Sequence, residues 1–136
     1  MIQYFYEIDF SIQDEASFTQ WICTVIKDEG RSLSELNYIY SDDEYLFRLN
    51  QQYLGHYTYT DVIAFDNSID EGIIGDVFIS IERVADNARQ LGESFQNELK
   101  RVMIHAVLHL LGYNDKVEDE RQLMRKKEDF YLNLSL

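Results

Sequence analysis

Period-two alternation opens the chain, with Ile2, Tyr4, Tyr6, Ile8 and Phe10 on even positions and Gln3, Glu7 and Asp9 on odd ones. This predicts a strand over 2–10 with one face buried. The period then changes: Phe18, Trp21, Ile22, Val25 and Ile26 recur at helical offsets and Gly30 follows, so an amphipathic helix spans 14–29 and stops at the glycine. A second strand is expected over 35–40. "SDDE" after it matches a capping box in which Ser41 accepts a backbone N–H and Glu44 reaches back. The short helix it starts carries Tyr45, Leu46, Leu49 and Tyr53 and ends at Gly55. "TDVIAF" over 60–65 and "GDVFISI" over 75–81 are β-rich runs separated by a polar loop with Asp70, Glu71 and Gly72, which predicts antiparallel neighbours.

The remainder reads as helix. Val84, Ala85, Ala88 and Leu91 share one face of a helix that ends at Gly92, and Ser94 is placed to cap the next, which runs to about Leu111. From Val102 to Leu111 that helix is apolar all round except for two histidines, so it is expected to be the buried central helix. Val117, Leu123, Met124, Phe130 and Tyr131 mark a last amphipathic helix. The order β-α-β-α-β-β-α-α-α predicts an α/β (α+β) fold, a small mixed four-stranded sheet with helices packed on it. The 136 residues are the length of one domain, taken as 1–136.

Composition narrows the setting. With 46% hydrophobic and 14% aromatic residues the chain can build a core, which excludes intrinsic disorder. Its single cysteine, Cys23, excludes an internal disulfide framework, and no disulfide-linked partner is expected. No apolar run reaches the roughly 18 residues needed to span a bilayer, and "MIQYFYEIDF" has none of the features of a secretory leader. A cytoplasmic protein without a membrane partner is the expectation. The net charge of −13 is unevenly spread: residues 1–99 carry 5 basic and 19 acidic side chains, residues 100–136 carry 7 and 6. So negative a chain counts against nucleic-acid binding, and if it does contact phosphate the candidates are Lys100, Arg101, Arg121 and Arg125. The alternative is that Arg121, Arg125, Lys126 and Lys127 are the solvated face of the last helix.

The chemistry concentrates in "HAVLHLLGYND", residues 105–115. His105 and His109 are one helical turn apart, so their imidazoles share a face and can converge on one ion at the ~2.0–2.1 Å of a zinc–nitrogen bond. Gly112 can take the left-handed conformation that turns the chain back. Asp115 then has two roles open to it: a third ligand oxygen, or with Glu118 a capping box for the last helix. Three protein ligands with a fourth position for water is the arrangement of a catalytic zinc site. A zinc peptidase with the H-E-x-x-H signature is excluded, because its general-base glutamate is Ala106 here.

The stretch resembles the pattern H-G-x-L-H-L-x-G-Y-D-H of the YbeY family of single-domain metal-dependent endoribonucleases, keeping His105, Leu108, His109, Leu110, Gly112 and Tyr113 in register. "LNQQY" at 49–53, "TDVIAF" at 60–65, "IGDVFI" at 74–79, Met124 and Glu128 resemble the family's other blocks. The resemblance implies an α/β fold, one zinc ion per chain near the end of the central helix, a cytoplasmic location, and action on ribosomal RNA and the small ribosomal subunit in maturation and quality control. On that basis His105, His109 and Asp115 would act through the metal. Two departures matter. Asp115 stands where the family has histidine, which lowers the charge of the site and makes a bound water less acidic. Leu54 stands where many members have an arginine, removing a guanidinium from the phosphate; His56 nearby is the candidate substitute donor. Two rival readings are a non-catalytic ribosome-associated factor with a structural metal and a metal-dependent hydrolase of another substrate.

Overall fold

A computed structural model describes residues 1–70 and 72–134; Glu71 of the predicted polar loop lies outside the described residues. The elements are β1 (Ile2–Tyr6), α1 (Glu15–Asp28), β2 (Ser32–Ser41), α2 (Asp43–Leu54), β3 (Val62–Asp66), β4 (Gly72–Ser80), α3 (Ile81–Leu91), α4 (Phe95–Leu110) and α5 (Glu118–Asn133). Their order is the one that the periodicity predicts.

The four strands form one mixed sheet in the order β1-β2-β4-β3. β1, β2 and β4 are parallel because helices carry the chain back between them, whereas β3 reaches β4 through a short connection and pairs antiparallel, from Val62 opposite Ile79 to Asp66 opposite Gly75. Tyr4 stacks on Tyr38, and Tyr6 on Tyr40, with ring centroids 5.8 and 5.4 Å apart. The Tyr38 hydroxyl donates to the Met103 carbonyl at 3.2 Å, which docks α4 on the sheet. Trp21 Nε1 donates to the Tyr131 carbonyl at 2.9 Å and ties α1 to α5. Gly75 allows the end of α4 to come close: a Cβ there would stand 2.8 Å from Leu110 Cδ1.

Several boundaries depart from expectation. β1 ends at Tyr6 rather than Phe10, because its ladder with β2 ends at Tyr40 and the Phe10 amide turns to the Ile8 carbonyl at 2.8 Å. The Phe10 ring still packs on Tyr40 and Phe95, so alternation marked the inward-facing, partly buried side chains and not where the ladder stops. Ser41 does not cap α2. It is the last residue of β2, paired with Ser80, and Asp42 takes the cap by accepting from Tyr45 N at 2.9 Å. Asp115 does not cap α5 either: Val117 is the N-cap residue, and Glu120 Oε1 accepts the amides of Lys116 and Val117 at 3.0 and 3.1 Å.

α4 is not buried all round. Met103, Ile104, Val107 and Leu108 are wholly buried, but the side chains of Arg101, His105 and His109, each four residues from the next, are 26%, 25% and 32% exposed. This stripe faces the gap between α5 and the start of β3. Among the described residues no helix is long and apolar enough to cross a membrane.

Candidate metal centre

The last turn of α4 sets the geometry. Its final carbonyls are met by the amides of Leu111, Gly112 and Tyr113, the last donating to Leu108 O at 3.0 Å, and Gly112 has φ +105°, a left-handed turn that side-chain-bearing residues resist. The chain reverses there, and Asp115 returns beneath the two histidines. His105 Nε2 and His109 Nε2 are 3.1 Å apart, and Asp115 Oδ2 is 3.2 Å from the second and 3.4 Å from the first.

Those three distances test the donor set. Ligand atoms about 2.0–2.1 Å from one ion in a tetrahedral array stand about 3.3 Å from one another. The neighbouring Glu128, on α5, supports the same reading. It is 4% exposed, and its Oε2 lies 2.7 Å from His105 Nδ1. With the Nδ1 proton donated to that carboxylate, neutral His105 presents a lone pair at Nε2, where it faces a second imidazole nitrogen and a carboxylate oxygen. A cation satisfies all three, and a carboxylate behind a histidine is the usual support for a metal ligand. His105, His109 and Asp115 thus form a candidate metal triad.

Arg101 holds Glu128 in place, with Nη1 2.9 Å from Glu128 Oε1 and Nη2 2.9 Å from Asp129 Oδ1. Burial pulls the His105 pKa down, but the hydrogen bond and charge of Glu128, with Asp115 and Asp61, outweigh it and leave the imidazole above its ordinary value. On the far side, the Tyr113 hydroxyl donates to Glu29 Oε1 at 2.6 Å, Lys127 reaches Glu29 Oε2 at 3.0 Å, and Tyr131 donates to Glu29 and Asp28. Glu29 therefore anchors the turn that delivers Asp115.

Two recesses meet at the triad. The larger, about 680 Å3, is walled by Leu54, His56, Thr58 and Tyr59 and reaches His105, His109 and Asp115; His56 is exposed there, and Leu54 lies on the same wall. The smaller, about 240 Å3, lies between α4 and α5 and includes Arg101, Arg121 and Arg125 in its lining. Of these, Arg101 is spent on Glu128 and Asp129, Arg121 binds the Lys116 carbonyl and Glu118 at 2.9 and 3.1 Å, and Arg125, 69% exposed, approaches Glu128 at 3.9 Å. Lys100 lines neither recess.

Sequence reasoning noticed Glu128 only as part of a block and gave Asp61 and Glu98 no separate role. A signal was present for Glu128: it shares a helix face with Met124 and Tyr131, and an acid in an apolar stripe needs a partner.

A family model described as Endoribonuclease YbeY matches residues 5–135. Curated relatives of that name include one from Flavobacterium psychrophilum, 54% identical over 98% of this chain and 96% of the relative, and one from Karelsulcia muelleri, 51% identical over 97% and 94%. Among solved structures, the solution structure of TM1509 from Thermotoga maritima superposes with a TM-score of 0.66 at 27% identity, covering 98% of this chain and 87% of that one.

Proposed function

This chain belongs to the Endoribonuclease YbeY family, and from that membership we propose that it is a zinc-dependent endoribonuclease that cuts single-stranded ribosomal RNA in the cytoplasm as one catalytic unit. Its part would be in maturation and quality control of the small ribosomal subunit. The observation that carries the reading is the convergence of His105 Nε2, His109 Nε2 and Asp115 Oδ2 within 3.4 Å of one another, with Glu128 fixing the His105 tautomer.

A zinc ion held by these residues supplies a Lewis acid and an activated water at neutral pH. The protein's own contributions can be derived one by one. Glu128, held by Arg101, takes the Nδ1 side of His105 and turns Nε2 toward His109 and Asp115. Asp115 adds one negative charge where a third histidine would add none. The open stripe on α4 is the face along which an extended strand would lie. His56 stands across the larger groove as a donor to the leaving oxygen or a phosphoryl oxygen. Arg121 and Arg125 offer the exposed cations on the other flank.

The test is metal-dependent cleavage of a ribosomal RNA fragment. The wild type should carry about one zinc per chain by elemental analysis and should cut the fragment; His109→Ala should lose both. Equal cleavage by the variant would identify a contaminating nuclease and defeat the reading. A second reading, a ribosome-associated factor that keeps its metal for structure, rests on Leu54 and on the absence of Lys or Arg between residues 49 and 82. Cosedimentation with ribosomes that survives His109→Ala, with no cleavage by the wild type, would favour it.

A further inference from the structure

The smaller recess has an acidic floor and a basic mouth. Its volume is about 240 Å3. Of the carboxylates on its floor, Glu128 is committed to His105 and Arg101, and Asp61 accepts from Asn87 Nδ2 at 3.3 Å. Glu98 is different. It is 5% exposed, lines the recess, and its Oε1 is buried with no hydrogen-bond partner among the described residues. A buried acceptor that no donor meets carries its full desolvation cost, so a donor brought by a ligand is worth more here than on the surface. At the mouth, Arg121 and Arg125 are 52% and 69% exposed.

We infer that this recess is a base-reading subsite for a guanine nucleotide beside the scissile phosphate, with Glu98 accepting from the base and Arg121 and Arg125 holding its phosphate. The inference rests on the ribonuclease reading and adds a specificity to it. An occupant with hydrogen-bond donors at one end and an anion at the other matches the floor and the mouth. Guanine presents two adjacent donors, N1–H and the N2 amino group, to the two oxygens of one carboxylate. Adenine and cytosine set a ring acceptor beside their amino group, which a carboxylate repels, and uracil offers one donor between two acceptors. The recess shares Asp61, His105 and Asp115 with the larger groove, so a strand that fills both passes the metal triad.

The test is calorimetric titration of metal-loaded protein with guanosine, inosine, adenosine, cytidine and uridine 5′-monophosphates. Guanosine monophosphate should bind at least about tenfold tighter than the inosine analogue, which lacks only the N2 amino group. Glu98→Gln should abolish that preference, and Arg125→Ala should weaken all five alike. Equal affinities in the wild type, or a guanine preference that survives Glu98→Gln, would overturn the inference. Should Glu98→Gln fail to fold, the guanosine-to-inosine ratio in the wild type and in Arg125→Ala decides it. Guanine preference without RNA cleavage keeps the subsite and removes the ribonuclease reading; cleavage without guanine preference does the reverse.

Discussion

Glu128 Oε2 lies 2.7 Å from His105 Nδ1, so a carboxylate on α5 sets the tautomer of an imidazole on α4. Arg101 grips the other oxygen of the same carboxylate at 2.9 Å. Two side chains, one on each helix, thus determine which lone pair His105 turns toward His109 and Asp115.

Glu128→Gln keeps the shape and removes the charge. Metal affinity should fall about 10- to 100-fold, the usual effect of losing a carboxylate behind a metal-bound histidine. Competition against a chromogenic chelator measures it, and unchanged affinity would deny Glu128 this role.

Asp115 separates ligation from capping. Asp115→Ala should abolish tight metal binding while changing the stability of the metal-free protein by less than about 0.5 kcal/mol, since the first turn of α5 is satisfied by Glu120. Asp115→His restores three neutral donors. Its pH–rate profile should rise at lower pH than that of the wild type, because a site with one more positive charge acidifies its water further.

Leu54 is 46% exposed on the wall of the larger groove, so an arginine fits there without burial. Leu54→Arg should raise the single-turnover rate of RNA cleavage about tenfold or more, by adding a guanidinium for transition-state charge. No gain would show that this groove does not hold the reacting phosphate.

Glu29 carries a pH dependence of stability. Burial pushes its pKa up, but donors from Tyr113, Tyr131 and Lys127 outweigh that and hold it below the ordinary 4.5. Its contribution is therefore present in full above pH 4.5 and is lost as pH falls through the lower folded value. Glu29→Gln should be clearly less stable than the wild type in urea at about pH 7, and the gap should close toward about pH 3. A gap that widens on acidification would contradict the sign.

Structure and sequence agree on much of the site for a simple reason. His105 and His109 share a helix face because 3.6 residues make a turn, and Gly112 reverses the chain because it alone tolerates φ +105° at no steric cost. These are interactions within a few residues, and they are written in spacing. Asp115 was legible as a donor but not as a choice, since ligand and cap both satisfy a carboxylate locally.

The cap goes to Glu120, five residues on, but what brings Asp115 beneath the histidines is distant in the chain: the bond from Tyr113 to Glu29 spans 84 residues, and the pair of Glu128 with His105 spans 23. The sequence by itself determined the element order, the buried faces, the two histidines and the turn after them, because periodicity and glycine act locally. Only the tertiary structure decided the parallel order β1-β2-β4, the side of α4 left open, and the partners of Arg101 and Glu98. Those depend on which surfaces meet, and that is settled by packing the whole core rather than by any one segment.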